Sequence, residues 1–227
     1  MKKIIISIFL FFPICLFAQS IDDIGKIILG VNISKSSTAE TQSLSDQLKN
    51  KLAQIATQSG YSAFGTNNLF VISPNVVVNS TDMAEGGMKN IYVVKGELFL
   101  SIQERDNNVV YSSIAIPFSG SATSKDRAIK NAIVDIDFKA VEPCFSTAKE
   151  KILSYYENKQ DVIFARANTY LANNQFDEAI TCLMTVPEEL SALYKKSLTR
   201  ANEIYKLKQE EEQRRLKAEI AQYNSAI

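Results

Sequence analysis

Residues 91–118 read IYVVKGELFLSIQERDNNVVYSSIAIPF, and this stretch predicts a long antiparallel β-hairpin. Over 91–104 apolar side chains alternate with polar ones, which is the period of a strand with one buried side and one solvent-facing side. The turn is predicted at 105–108, because Arg-Asp-Asn-Asn favours tight turns. The predicted buried face consists of Tyr92, Val94, Gly96, Leu98, Leu100 and Ile102 on the first strand, and of Val110, Ile114, Ile116 and Phe118 on the second.

The segments before the hairpin predict two more strands and one helix. Apolar residues over 27–34 indicate a buried first strand, and 69–72 indicates a second, which Pro74 restricts to an edge or an end of the sheet. Between them, 40–59 has the spacing of an amphipathic helix. Its predicted buried stripe is Leu44, Leu48, Leu52, Ile55 and Ala56. The polar stretch 79–90 is predicted to be a loop.

The segments after the hairpin predict helices. Residues 119–124 form a predicted loop of small residues, and Ser124 is expected to cap the next helix. That helix has a predicted stripe of Ala128, Ile129, Ala132, Ile133 and Ile136, and a further helix after Pro143 has Phe145, Ala148, Ile152, Leu153 and Tyr156. From 160 onward only helical periods occur, with two helices joined at 173–174 and a third beginning after Pro187. The last of these has a predicted stripe of Leu190, Leu193, Tyr194, Leu198, Ala201, Ile204 and Tyr205.

These patterns predict an α+β fold. An N-terminal sheet with a long antiparallel hairpin and packed helices is expected over 21–158. An all-helical segment is expected over 159–206, and an extended, charged helical tail over 207–227.

Residues 167–180, ANTYLANNQFDEAI, resemble a tetratricopeptide repeat. Ala167 and Ala179 match the small residues that let the two helices of a repeat approach, and Tyr170 matches the aromatic residue beside them. The resemblance implies that the helical module packs through Ala167, Tyr170, Phe176, Ala179 and Leu183. Pro187 comes early for the family, so the repeat is shortened. One repeat cannot bury its own face, so it is expected to lean on the N-terminal domain or on another chain. A generic helical hairpin is the alternative.

Residues 118–132, FSGSATSKDRAIKNA, resemble a segment of the small α+β modules of exported envelope assembly proteins. The resemblance implies a role in binding or assembly, with no catalytic residues to transfer. The chain departs from many members of that group because it lacks their lipid-anchoring cysteine. Ser121, Thr123 and Ser124 lie in the small-residue loop of this segment and are candidate partner contacts.

The first eighteen residues have the pattern of a secretory signal peptide. Lys2 and Lys3 precede an apolar run over 4–17, and Ala18 is a small residue suited to cleavage. The run is shorter than the roughly 20 residues that span a bilayer. We expect cleavage after Ala18 and a mature chain, 19–227, in the periplasm or associated with the envelope, with no transmembrane segment.

The composition argues against several classes of function. The chain has no histidine, which removes the commonest general base and the usual mixed zinc ligand sets. The mature chain has 23 basic and 25 acidic residues, so no strongly basic face is expected for nucleic acid. Asp135 and Asp137 would lie on different faces of a helix, so they are poor candidates for a cooperating acid–base pair. We predict no catalytic residues, no cofactor and no metal ligands. Cys144 and Cys182 are either a disulfide or two buried thiols.

The C-terminal tail has two interpretations. Residues 208–215 are polar throughout, and Glu210–Arg214 and Glu211–Arg215 are predicted ion pairs that would keep the helix intact. Leu216, Ile220 and Tyr223 then restore a short apolar stripe. The tail is either a solvated extension or a projecting arm whose tip contacts a partner.

These features together predict an exported, non-enzymatic protein-binding or adaptor protein of the cell envelope, in assembly or secretion. Its expected partner is another envelope protein, and it could form homo-oligomers. One alternative is a histidine-independent hydrolase of envelope glycans, which would need two carboxylates about 5–10 Å apart in a cleft. A self-assembling structural subunit is the other.

Overall fold

A computed structural model describes residues 25–33, 39–63, 68–86 and 89–225. It confirms the predicted α+β class, in which a sheet and its covering helices are followed by helices alone. The predicted signal peptide lies outside the described residues. The elements are β1 (Leu29–Val31), α1 (Ala39–Gln58), β2 (Phe70–Gly86), β3 (Lys89–Glu104), β4 (Val110–Ala122), α2 (Lys125–Val134), α3 (Phe138–Asn158), α4 (Gln160–Ala172), α5 (Phe176–Met184) and α6 (Ser191–Ser225).

The four strands form one sheet in the order β1-β2-β3-β4. β1 runs parallel to β2, and the other neighbours are antiparallel. The alternation predicted for β3 is confirmed: Val94, Leu98, Leu100 and Ile102 are buried under the helices, whereas Phe99 on the other face is exposed. The predicted stripes of α1, α2 and α3 supply the opposing layer of this core.

The second strand of the hairpin differs from its prediction at one position. Val110 was expected in the buried face but is exposed, and Tyr111 is buried instead. The register explains this difference, because Ile102 pairs with Ser112 while Gln103 pairs with Val110. Tyr111 is therefore an extra residue in a bulge, which moves the alternation by one place.

The polar stretch 79–90 is not the predicted loop. β2 continues to Gly86 and pairs with β3 down to Gly86–Lys89, with one irregularity between Val78 and Ser80. Side chains on both faces are exposed near the tip, from Thr81 to Glu85, so no hydrophobic alternation marks the strand. Backbone pairing with β3 forms the strand here. Pro74 is tolerated because, among the described residues, β1 pairs only with Phe70–Ile72.

Residues 119–122 also belong to a strand rather than to the predicted loop. Gly120 allows α2 to cross closely, because a Cβ at this position would overlap the carbonyl oxygen of Ala128. The capping prediction is confirmed: the Ser124 hydroxyl accepts a hydrogen bond from the Arg127 amide (3.4 Å).

The third helix begins earlier than predicted. α3 starts at Phe138, and the Asp137 carboxylate accepts a hydrogen bond from the Lys139 amide (3.1 Å) at its N-cap. Pro143 lies inside the helix, so it does not mark the helix start. Asp135 is the C-cap of α2 and Asp137 is the N-cap of α3, so both aspartates lie at helix ends.

The C-terminal helices pack in part against the sheet domain and in part against each other. Ile163 and Val186 join the core beneath the sheet, while Ala167, Ala179, Leu183, Ala201 and Ile204 form a second cluster. The boundary near 158 stays a prediction. The stripe of α6 is narrower than predicted: Leu198 and Tyr205 are exposed, and Ser197 is buried instead. In the described ranges, no helix is long and apolar enough to cross a bilayer.

Candidate functional site

A cavity of about 430 Å³ lies between the β3–β4 turn, the end of α3 and the α4–α5 pair. We call this cavity the cleft. Three tyrosines, two arginines and three carboxylates are among its lining residues. They are Tyr155, Tyr156, Tyr170, Arg105, Arg166, Asp106, Asp177 and Glu178. Its volume lies within the range of about 300–1,000 Å³ that is typical of ligand sites.

The aromatic wall of the cleft is fixed by edge-to-face packing. The Tyr155 ring lies 5.5 Å from the ring of Phe70 and 5.6 Å from that of Tyr156, measured between centroids. Phe70 is fully buried and also packs edge-on against Tyr111, at 5.3 Å. Burial raises the pKa of Tyr155 and of Tyr156, so both hydroxyls stay protonated at neutral pH. The wall is therefore a rigid apolar surface edged with neutral hydroxyl groups.

The charged groups at the cleft come from separate elements. Arg105 follows β3, and its backbone amide donates to the Leu69 carbonyl (2.9 Å), which fixes the turn against the start of β2. Arg166 is an exposed residue of α4. On α5, Asp177 accepts two hydrogen bonds from the Lys208 ammonium group (2.7 and 2.8 Å). The cleft thus offers guanidinium donors and carboxylate acceptors beside one aromatic wall.

Cys182 also lines the cleft, but it is not a reactive nucleophile. Its thiol donates to the Ile163 carbonyl (3.7 Å), and burial raises its pKa. A raised pKa lowers the thiolate fraction at neutral pH, and only the thiolate attacks readily. Cys182 and the buried Cys144 are both free thiols, so the disulfide alternative is not observed.

The acidic groups of the cleft are poor candidates for acid–base chemistry. Asp106, Asp177 and Glu178 are all exposed to solvent. A general acid is usually shielded from water by apolar neighbours, whereas these three side chains are open to solvent. Asp177 is in addition held by an ion pair with Lys208. These exposed carboxylates can accept hydrogen bonds from a ligand in the cleft.

The residues of the helical module lie together, as the predicted packing requires. Ala167, Ala179 and Leu183 are fully buried in the second cluster, and Tyr170 and Phe176 pack against it. Tyr170 also lines the cleft and so links the module to the candidate site.

The predicted contacts Ser121, Thr123 and Ser124 do not join the cleft. They lie at the far end of β4 from the β3–β4 turn. The Ser121 carbonyl accepts from the Asn131 side chain (3.0 Å), and Ser124 serves as a helix cap.

The predicted apolar stripe of the tail is exposed. Leu216, Ile220 and Tyr223 lie on the last turns of α6, and their exposed fractions are 58%, 52% and 70%. We call residues 209–225 the arm. The ion pairing differs from both predicted pairs: in the described part of the arm, Arg214 binds Glu211, three residues earlier (2.8 Å). The arm is helical, and its apolar stripe faces solvent.

No pattern in the sequence predicts the cleft itself. Arg105, Tyr155 and Arg166 come from a turn and two helices, and no spacing rule relates them. The nearest sign of the cleft in the sequence is Tyr156, which belongs to the predicted stripe of the helix after Pro143. Tyr155 is its neighbour in the chain.

Comparison with known proteins adds little. No family model and no curated protein match the chain. A minor lipoprotein from Acinetobacter baumannii matches with 13% identity over 56% of this chain and 93% of that chain, at a TM-score of 0.35. A protein from Xanthomonas campestris matches with 11% identity over 57% and 89%, at 0.37. The PelC dodecamer from Paraburkholderia phytofirmans matches with 16% identity over 53% and 87%, at 0.33. Scores this low support no conclusion about function, and the resemblance to a tetratricopeptide repeat stays a prediction.

Proposed function

We propose that the protein is an exported, non-enzymatic protein of the cell envelope that binds a segment of another envelope protein in the cleft. The observation that carries the proposal is the rigid tyrosine wall flanked by Arg105 and Arg166. Tyrosine and arginine, with tryptophan, are enriched among the few residues that carry most of the binding energy of protein interfaces, and each combines a large contact area with a polar end. The predicted leader, 1–18, supports export.

The charges of the cleft suit a peptide better than a simple ion. A peptide segment presents carbonyl oxygens and amide hydrogens at close intervals. Guanidinium groups donate to the carbonyls, and the carboxylates of Asp106 and Glu178 accept from the amides. A cleft with both signs of charge therefore matches an extended chain.

The cleft is also organised before a ligand arrives. The Tyr155 ring is held against Phe70 and Tyr156, and the ion pair of Asp177 with Lys208 ties α5 to α6. The tyrosine wall therefore requires little ordering on binding, which lowers the entropic cost of association.

The edge of the sheet formed by β4 is less suited to partner binding than the cleft. At β4, the Lys151 ammonium group donates to the Tyr111 carbonyl (2.7 Å), and Asn131 occupies the Ser121 carbonyl. Pro117, in the middle of this strand, has no amide hydrogen to offer. Such features protect an edge strand against the addition of another strand. Partner binding by β-strand addition to β4 is therefore disfavoured.

Selection from a random peptide library displayed on phage tests the proposal. The purified mature chain is the bait, and a selected peptide is then titrated calorimetrically against wild type and variants. We expect saturable binding that Arg166→Glu and Tyr170→Ala weaken at least tenfold. The exposed Lys195, on α6 and outside the cleft, provides the matched charge reversal. Lys195→Glu should bind like wild type.

Two results would overturn the proposal. One is the selection of no peptide whose binding depends on Arg166 or Tyr170. The other is release of reducing sugar from purified envelope glycan by the mature chain, which would favour the hydrolase alternative.

A further inference from the structure

We propose that the arm is a self-association site, at which two copies of this chain pair their C-terminal helices as a short parallel coiled coil. This proposal is independent of the cleft, because the arm begins only after Lys208, where α6 makes its ion pair with α5. From 209 to 225 the helix extends for about 26 Å at 1.5 Å per residue.

The spacing of the apolar residues is that of a coiled-coil seam. Leu216, Ile220 and Tyr223 follow one another at intervals of four and three residues, which correspond to positions d, a and d of a heptad. All three are more than half exposed in the single chain. Continuing the heptad toward the body of the protein places Gln213 at a and Gln209 at d. The seam is thus apolar at the tip and polar near the body.

The flanking charges favour a second copy as the occupant. The same heptad places Glu212 at position g and Lys217 at position e. In a parallel pair, the g residue of one helix lies beside the e residue of the next heptad of the other helix. Glu212 of each copy therefore faces Lys217 of the other, and the symmetry of the pair forms this contact twice. Within one helix these two side chains, five residues apart, do not face each other.

A membrane surface fits the arm less well. Amphipathic helices that bind anionic lipid are rich in lysine and arginine on the polar face. Residues 209–225 contain four acidic and three basic residues, so the arm has a net negative charge. The apolar stripe is also only about two turns long, so we expect a reversible dimer whose population depends on concentration.

Sedimentation velocity on the full mature chain, over a wide range of concentrations, tests the proposal. Wild type should move from monomer to dimer as concentration rises. Leu216→Lys combined with Ile220→Lys should weaken dimerisation at least tenfold. Ala218→Lys, at the outward position f of the same heptad, is the matched control and should leave dimerisation unchanged. Far-ultraviolet circular dichroism should show that all of these proteins are folded, because the substituted residues are exposed.

Charge exchange tests the parallel orientation. Glu212→Lys alone and Lys217→Glu alone should each weaken the dimer, since each sets like charges side by side. The double exchange should restore it to near the wild-type level. A wild-type protein that stays monomeric up to about millimolar concentration would overturn the proposal. So would a double exchange that fails to restore the dimer, or equal loss in the Ala218→Lys control.

Discussion

At the scale of single residues, two contacts between distant parts of the chain position the helices, one on β4 and one between Tyr61 and α3. Gly120 lies in a run of small residues that predicts a loop, yet its missing side chain lets α2 pack on β4. Tyr61, just past the end of α1, donates a buried hydrogen bond to the Phe145 carbonyl (2.7 Å) and so ties this segment to α3. Both roles depend on partners far away in the chain.

Gly120→Ala should destabilise the protein by about 1–3 kcal/mol, because the added methyl group overpacks a tight crossing. A Cβ there would overlap the Ala128 carbonyl oxygen and come within 2.9 Å of the Ala132 Cβ. Urea unfolding measures the effect. Ser121→Ala, at the exposed neighbouring position, is the control and should change the free energy of unfolding by less than about 0.5 kcal/mol. Equal effects of the two changes would contradict the packing role of Gly120.

Tyr61→Phe should make stability less sensitive to alkaline pH. Burial raises the pKa of Tyr61 above its ordinary value of 10 in the folded state. The stabilising contribution of the protonated Tyr61 hydroxyl is therefore complete below pH 10 and is lost as the pH rises above 10. Near pH 7 the variant should lose about 1 kcal/mol with the hydrogen bond. Thermal unfolding from pH 7 to 11 should show the gap between wild type and variant closing above pH 10. A gap that stays constant to pH 11 would exclude a link between Tyr61 ionisation and stability. Tyr223→Phe, at an exposed position, is the control.

At the scale of elements, the sequence patterns predicted correctly those helices and strands that bury one face. The alternation of β3 and the stripes of α1, α2 and α3 arise because each element has helices or a sheet on one side only. The tip of β2 is exposed on both faces, so its polar sequence gave no strand signal. The bulge at Tyr111 depends on pairing with β3 and is invisible in one strand alone. The cleft could not be predicted, because its lining joins segments from 68 to 185 that no local period connects.

Ala167→Leu tests the close packing that the resemblance to a tetratricopeptide repeat implies. Ala167 is fully buried in the cluster of α4, α5 and α6, so a larger side chain should cost about 1–3 kcal/mol of unfolding free energy. Ala165, on the same helix, is exposed and gives the matched control. Ala165→Leu should leave the urea midpoint nearly unchanged. Equal tolerance of both changes would show that the helices are not held closely at this point.

At the scale of the whole molecule, one side of the sheet packs against α1, α2 and α3 to form a core. The cleft and the arm are both open to solvent. The cleft lies where the sheet meets the helical module, and the arm extends beyond both. We propose that the cleft holds a partner and that the arm joins two copies. An exported dimer would then present two clefts, so a partner with two matching segments would bind with enhanced avidity.

Photocrosslinking in intact cells that make the protein tests whether the cleft holds another envelope protein. A photoreactive phenylalanine derivative is placed at Val162, an exposed residue of the cleft, or at Val134, an exposed residue of α2 outside it. We predict that Val162 forms an adduct with one other envelope protein, that Val134 forms none, and that mass spectrometry of the adduct finds this chain beginning at Gln19. No adduct from Val162, or equal labelling from both positions, would refute partner binding in the cleft. An intact Met1 form recovered from the cytosol would refute export.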